Sequence, residues 1–141
     1  MIDQTLIDFV KKEEGFTRCA TWDYHQWTNG YGTRAHHTRE CITEAEAERR
    51  LLIELEAAQA SVVHFQPTMP DGVRNALTDL TFNAGSAWMH AGLGDEVKAG
   101  NWAAAKEHLL QYDEAGGRVL SDLKKRRLAE ASWFPAGETV A

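Results

Sequence analysis

Residues 11–37, KKEEGFTRCATWDYHQWTNGYGTRAHH, decide how this chain is read. Ahead of them Ile2, Leu6, Phe9 and Val10 recur at helical spacing, so residues 3 to about 13 read as an amphipathic helix ending near Gly15. From 16 to 37 the period changes. Aromatic and β-branched residues surround Asn29-Gly30, a strong turn signal, and a small twisted antiparallel sheet is expected there. Two or three such strands are not stable alone and must pack against helices.

Beyond the sheet, Thr43 with Glu46 three residues later forms a capping box that opens the longest helical pattern in the chain. Leu51, Leu52, Leu55, Ala58, Val62 and Phe65 continue it until Pro67 forces a stop. Such a helix is about 33 Å long at 1.5 Å per residue, enough to join two lobes. Pro70 stands at the start of the next helix, whose Val73, Ala76, Leu77, Leu80 and Phe82 make it the expected central core helix. GSAWMHAGLG (85–94) reads as a broken connection. Helical signals return at 95–99, at 101–111 with Asn101 as cap, and at 121–134. The tail PAGETVA (135–141) is expected to fray. The fold class is α+β: a small antiparallel sheet lobe joined by a long helix to a helical lobe.

Composition narrows the function. With 141 residues the chain suits one domain with a genuine core. A net charge of −6 argues against nucleic acid as partner, since phosphates call for a basic surface. The run Lys124-Lys125-Arg126-Arg127 wraps around a helix instead of forming a flat stripe, and reads as a solvated helix end with one arginine turned inward. No apolar run is long enough to span a bilayer, and the acidic N-terminus lacks the basic start of a signal peptide. Synthesis in the cytoplasm, with release by some other agent, is the expectation. Cys19 and Cys41 lack zinc-ligand spacing and the six histidines are scattered, so no metal is expected. The two cysteines flank the sheet. They are free thiols if the chain stays reduced, or a bridge closing a 22-residue segment if it is oxidised; a Cα separation well over 7 Å would exclude the bridge.

The opening stretch also carries chemistry. Glu14 ends the first helix, where the helix dipole disfavours a negative charge, and burial in an apolar joint would raise its pKa further. Asp23, nine residues on beside Trp22 and Tyr24, is expected to be more exposed and ionised. Two carboxyls with such different surroundings supply an acid and a base, and Thr28 adds a hydroxyl that can help Asp23 hold a water. The spacing alone leaves open a plain solvated helix-end glutamate.

EEGF…WDYHQWTNGYGT resembles the active-site region of phage-type lysozymes (endolysins), which have Glu-Gly at the end of the first helix, then an Asp, then Thr-x-Gly-x-Gly in the sheet. ITEAEAERRL resembles the start of that family's inter-lobe helix, ALTDLTFNAGSAW its central core helix, and AGNWAAA and GGRVLSDLKKRRLAEASWF its C-terminal helices. The resemblance runs in order over roughly residues 2–134. It implies one lysozyme-like domain over 1–141, with a sheet lobe at about 15–42, a helical lobe at about 66–134, and the first helix packing with the helical lobe.

It also implies cleavage of the β-1,4 bond between N-acetylmuramic acid and N-acetylglucosamine in peptidoglycan glycan strands, with inversion. No cofactor, metal, nucleic acid or membrane insertion is expected, and a monomer is expected. It would serve cell lysis by a phage or prophage, reaching the wall after release or as part of a virion. Residue by residue, the resemblance places the catalytic acid on Glu14, the aspartate on Asp23 and the threonine on Thr28, although many members have one more residue between the last two. Substrate contacts fall on Gly30, Gly32, Arg34 and Phe82, with core packing an equal alternative for Phe82. Trp27, Trp88 and Trp102 could stack on sugars, with core packing the better role for Trp102. Two other readings compete: a lytic transglycosylase, which needs the acid but no water-activating aspartate, and a lysozyme-like module that binds cell wall without cleaving it.

Overall fold

A computed structural model of the chain describes residues 1–23, 26–115 and 117–136. The last residues of the expected frayed tail, from 137, lie outside them. Two compact units divide the chain, Met1–Ala57 and Ala58–Ala141.

The first unit opens with α1 (Gln4–Glu14), whose apolar stripe buries Leu6 and Val10. Gly15 ends the helix at φ 67°, a conformation that glycine adopts without a Cβ penalty. Three antiparallel strands follow in order: β1 (Thr17–Asp23), β2 (Gln26–Gly30) and β3 (Thr33–Arg34). Thr28 lies opposite Thr21 on one side and Arg34 on the other. The turn between β2 and β3 falls at Tyr31-Gly32, two residues past the expected Asn29-Gly30. Asn29 is held inside the sheet because its side-chain amide donates to the Glu40 carbonyl (3.2 Å) and carboxylate (3.1 Å). Tyr31 is buried, with its hydroxyl on Glu44 at 2.7 Å, and Phe16 tilts against its ring.

Residues 40–42 run beside β1, with Ala20 N–H donating to Glu40 and Ile42 N–H to Arg18. This sets Cys19 directly opposite Cys41, their Cα atoms 3.9 Å apart, and the two form a disulfide. The bridged alternative therefore holds. Closing a loop of this length restricts the unfolded chain by about 3 kcal/mol. The Cys19→Ser/Cys41→Ser double variant should lose stability of that order in urea unfolding; an unchanged midpoint would show that the bridge contributes nothing.

Helix α2 (Glu44–Phe65) begins in this unit and runs on into the next. Thr43 caps it, accepting from the Glu46 N–H at 3.2 Å. The Glu46 carboxylate does not reach back as a full capping box would. It takes Arg49 and Arg50 instead, which hold its pKa down at about 2. Arg50 also grips Glu40 with two hydrogen bonds of 2.8 Å; with the His36 N–H, this holds the Glu40 carboxyl well below its usual range. The segment between β3 and α2 is thereby tied to the helix.

The second unit is helical. Its core gathers Val62, Val73, Ala76, Leu77, Leu80, Trp88, Leu93, Val97, Ala105, Leu109, Ala131 and Phe134. Helix α3 (Asp71–Ala84) supplies four of these, as its apolar run implied. The connection at 85–94 is more regular than its glycines suggest: a 3₁₀ turn at Ala87–His90 leads straight into α4 (Gly92–Ala99). Trp88 is buried, with its indole N–H on the Thr81 hydroxyl at 3.0 Å, and it is a core residue. Asn101 caps α5 (Trp102–Leu109) by accepting from the Ala104 N–H, and Trp102 packs against the core. A hairpin of two short strands, β4 (Glu114–Ala115) and β5 (Arg118–Val119), precedes α6 (Ser121–Ala131).

On α6 both Arg126 and Arg127 turn inward, where one was expected. Arg126 takes Asp79 two-pronged, at 2.9 and 2.7 Å. Arg127 meets Glu130 at 2.7 Å and the Tyr112 carbonyl at 3.2 Å. Among the described residues no helix is long and apolar enough to cross a membrane.

Candidate active site

The end of α1 and the hairpin of β1 and β2 enclose a hollow of about 260 Å³, lined by Glu14, Thr21, Trp22, Asp23, Thr28 and Asn29 and by the backbone of Gly15, Gly30 and Gly32. Glu14 is half-buried, the last residue of its helix. Asp23 ends β1 and is exposed. Thr28 lies within β2 and is buried. Local folding brings these three together: the helix stops at Gly15, and the β1–β2 ladder sets Thr28 across from Thr21, two residues before Asp23.

The glycines have distinct reasons. Gly32 sits at φ 82°, and a Cβ there would fall 2.9 Å from the Glu14 carboxyl carbon, closer still to one of its oxygens. The missing side chain makes room for the Glu14 carboxyl. At Gly30, φ 62°, a Cβ would meet Ala47 and Ile42 at 3.0 Å, so its bareness also lets α2 approach the sheet. Gly32→Ala should displace the Glu14 side chain. If Glu14 acts as the acid that the sequence implies, a shift of about 1 Å in it costs about 10²-fold in rate, and activity should fall by that factor. A left-handed Ala costs only about 1–2 kcal/mol, so the fold should persist. Wild-type activity in a folded Gly32→Ala protein would contradict the close approach.

Two further expected contacts, Arg34 and Phe82, are not among the residues that line this hollow. Arg34 lines a separate, larger hollow of about 540 Å³ with Thr33, His36, Arg49, Arg50 and Ile53, whose one lining carboxylate is Glu54. Phe82 is half-buried on α3 in the second unit. The structure adds Trp22, which sequence reasoning passed over although it adjoins Asp23 in the strand.

A helix-end glutamate, a strand-end aspartate and a sheet threonine around bare glycine backbone, on an α+β chain with one long helix, define a lysozyme-like protein. Residues 11–130 match the phage lysozyme family model, and the chain belongs to that family. It is 29% identical to an endolysin of Bacillus phage B103 over 98% of this chain and 55% of the relative, so it spans about half that protein's length. By fold it is similar to the muramidase domain of SpmX from Asticaccaulis excentricus (TM-score 0.84, 22% identity, 97% of this chain and 99% of that one). It is likewise similar to the endolysin from Escherichia coli O157:H7 phage FAHEc1 (TM-score 0.80, 26% identity, 94% and 92%).

Proposed function

We propose that this chain is a peptidoglycan hydrolase that cleaves the β-1,4 bond between N-acetylmuramic acid and N-acetylglucosamine in bacterial cell wall. The observation that carries this reading is the convergence of Glu14, Asp23 and Thr28 on one small hollow beside the bare backbone of Gly32. Family membership and a relative named as an endolysin support it.

In this mechanism Glu14 gives its proton to the glycosidic oxygen as the bond from C1 to that oxygen breaks through an oxocarbenium-like state. The leaving sugar departs as the alcohol. Water adds to C1 and passes its proton to Asp23, while the Thr28 hydroxyl holds that water in place. Exposed Asp23 reaches solvent, and buried Thr28 is fixed by the ladder on both sides, which suits a group that must orient a water. The wall is reached after release from the cell that makes the protein, or from a virion.

The reading is tested by adding purified protein to sacculi and following turbidity. Clearing is expected; a folded protein that binds sacculi without clearing them would make this a wall-binding module.

A further inference from the structure

The Glu14 carboxyl stands against a turn whose own backbone does little to fix it. Tyr31 occupies that turn between Gly30 at φ 62° and Gly32 at φ 82°. Glycine is the residue least committed to one conformation, so a turn flanked by two of them needs an outside anchor to keep one geometry. Hairpin tips are ordinarily exposed and mobile, yet Tyr31 is only 3% exposed.

Its side chain is held from more than one element. The hydroxyl donates to the Glu44 carboxylate at 2.7 Å, in the first turn of α2. The Lys11 ammonium lies 5.3 Å from the ring centroid, within reach of a cation–π contact. The Phe16 ring tilts against the tyrosine with centroids 5.7 Å apart. Lys11 precedes Glu14 by about one helical turn on α1, and Phe16 follows just after the helix ends. The tyrosine is thus gripped from both sides of Glu14 along the chain, and from α2 as well. Lys11 also pairs with Glu48 of α2, but both side chains are open enough for water to screen that pair. The part-buried, charge-assisted bond from the Tyr31 hydroxyl to Glu44 is the stronger tie.

Tyr31 is not among the residues that line the hollow, so it acts through its neighbours. The neighbour that matters is Gly32, where a Cβ would fall 2.9 Å from the Glu14 carboxyl carbon. Any drift of the turn moves the surface against which that carboxyl is set. Resting on the muramidase reading, we propose that Tyr31 is a positioning residue for Glu14. Its ring docks the turn on the end of α1, and its hydroxyl locks the docked turn to α2 through Glu44.

The test uses the full chain on soluble glycan strands. Tyr31→Phe keeps the ring and its contacts and removes only the hydroxyl. It should lower kcat by about tenfold, part of what a 1 Å misplacement costs. KM should stay within about twofold, because the lost tie acts on the reacting acid and not on sugar binding. Glu44→Ala should reproduce the loss, and combining it with Tyr31→Phe should cost no more than either change alone. Glu44→Gln can still accept through its amide oxygen and should lose less than Glu44→Ala. If Tyr31→Phe lowers the melting temperature while kcat stays at the wild-type value, the hydroxyl only braces the fold, and the inference fails alone. A rise in KM with kcat unchanged would make Tyr31 a binding residue and overturn it equally. If wild-type protein releases no fragments from the strands, the muramidase reading fails, and this inference with it.

Discussion

Glu14→Gln should leave a folded protein with almost no power to clear sacculi. The substitution keeps the shape of a side chain that stands against the bare Gly32 backbone, but an amide cannot give a proton to a departing sugar oxygen. General acid catalysis contributes about 10²–10⁴ in rate, and the loss should fall in that range. Asp23→Asn should also be severe, because the amide cannot take the proton of the attacking water. Thr28→Ala removes only an orienting hydroxyl and should cost least, or shift attack from water to a sugar hydroxyl. The expected order of damage is Glu14, Asp23, Thr28, read from initial rates with circular dichroism confirming the fold. Wild-type rates in Glu14→Gln would remove the basis of the mechanism.

The second large effect is on stability. Asp79, Arg126, Arg127 and Glu130 are all buried, and Arg127 Nη2 lies 3.8 Å from Asp79 as well as against Glu130. Asp79→Ala takes away the carboxylate that receives two hydrogen bonds from Arg126 and leaves positive charge buried with less compensation. Breaking such a pair costs about 3–5 kcal/mol, so a large drop in urea midpoint is expected. A midpoint within error of wild type would mean that the network carries no net stability.

The same network has a pH signature. Burial pushes the Glu130 carboxyl well above its ordinary value of 4.5, and its hydrogen bond with Asp79 pushes the same way. For Asp79 burial acts upward, but hydrogen bonds from Glu130 and Arg126 overcome it and bring the carboxyl below its ordinary 3.8. The two carboxyls are thereby pushed apart, Glu130 giving up its proton at higher pH than Asp79. Glu130's contribution, from a raised folded pKa, is complete below about pH 4.5 and is lost as pH climbs through the folded value. Asp79's contribution, from a lowered folded pKa, is complete above about pH 3.8 and is lost as pH falls through its folded value. Glu130→Gln can still donate to Asp79 and accept from Arg127 but cannot ionise. It should flatten the alkaline side of the melting temperature against pH and leave the acid side in place. An unaltered alkaline slope would contradict the upward shift of the Glu130 carboxyl.

The sequence made the helices legible where periodicity and caps agree. Thr43 announced α2 and Asn101 announced α5, and each caps as its residue type requires. The apolar spacing of Val73, Ala76, Leu77 and Leu80 marked the core helix because local period and burial coincide there. What stayed hidden depends on partners distant in the chain. Asn29-Gly30 carries the letters of a turn, yet Glu40 holds Asn29 in the strand and the turn moves to Tyr31-Gly32. The basic run 124–127 read as a solvated helix end with one arginine turned inward, and the second stayed hidden because the Asp79 that holds Arg126 lies 47 residues earlier. Strands β4 and β5, of two residues each, are too short for any alternation to register. At the candidate site, helix-end and hairpin chemistry with a family resemblance singled out Glu14, Asp23 and Thr28, which line one hollow. The two reasons for glycine, the Glu14 carboxyl at Gly32 and the packing of α2 at Gly30, needed coordinates.

The central claim is that water, directed by this hollow, attacks the muramic acid carbon of the glycan strand. Mass spectrometry of the soluble fragments released from sacculi, after borohydride reduction, tests it most directly. Fragments ending in N-acetylmuramitol are predicted. Ends in N-acetylglucosaminitol would place the cut at the other glycosidic bond, and 1,6-anhydromuramoyl ends would make a hydroxyl of the sugar itself the nucleophile; either would contradict the account.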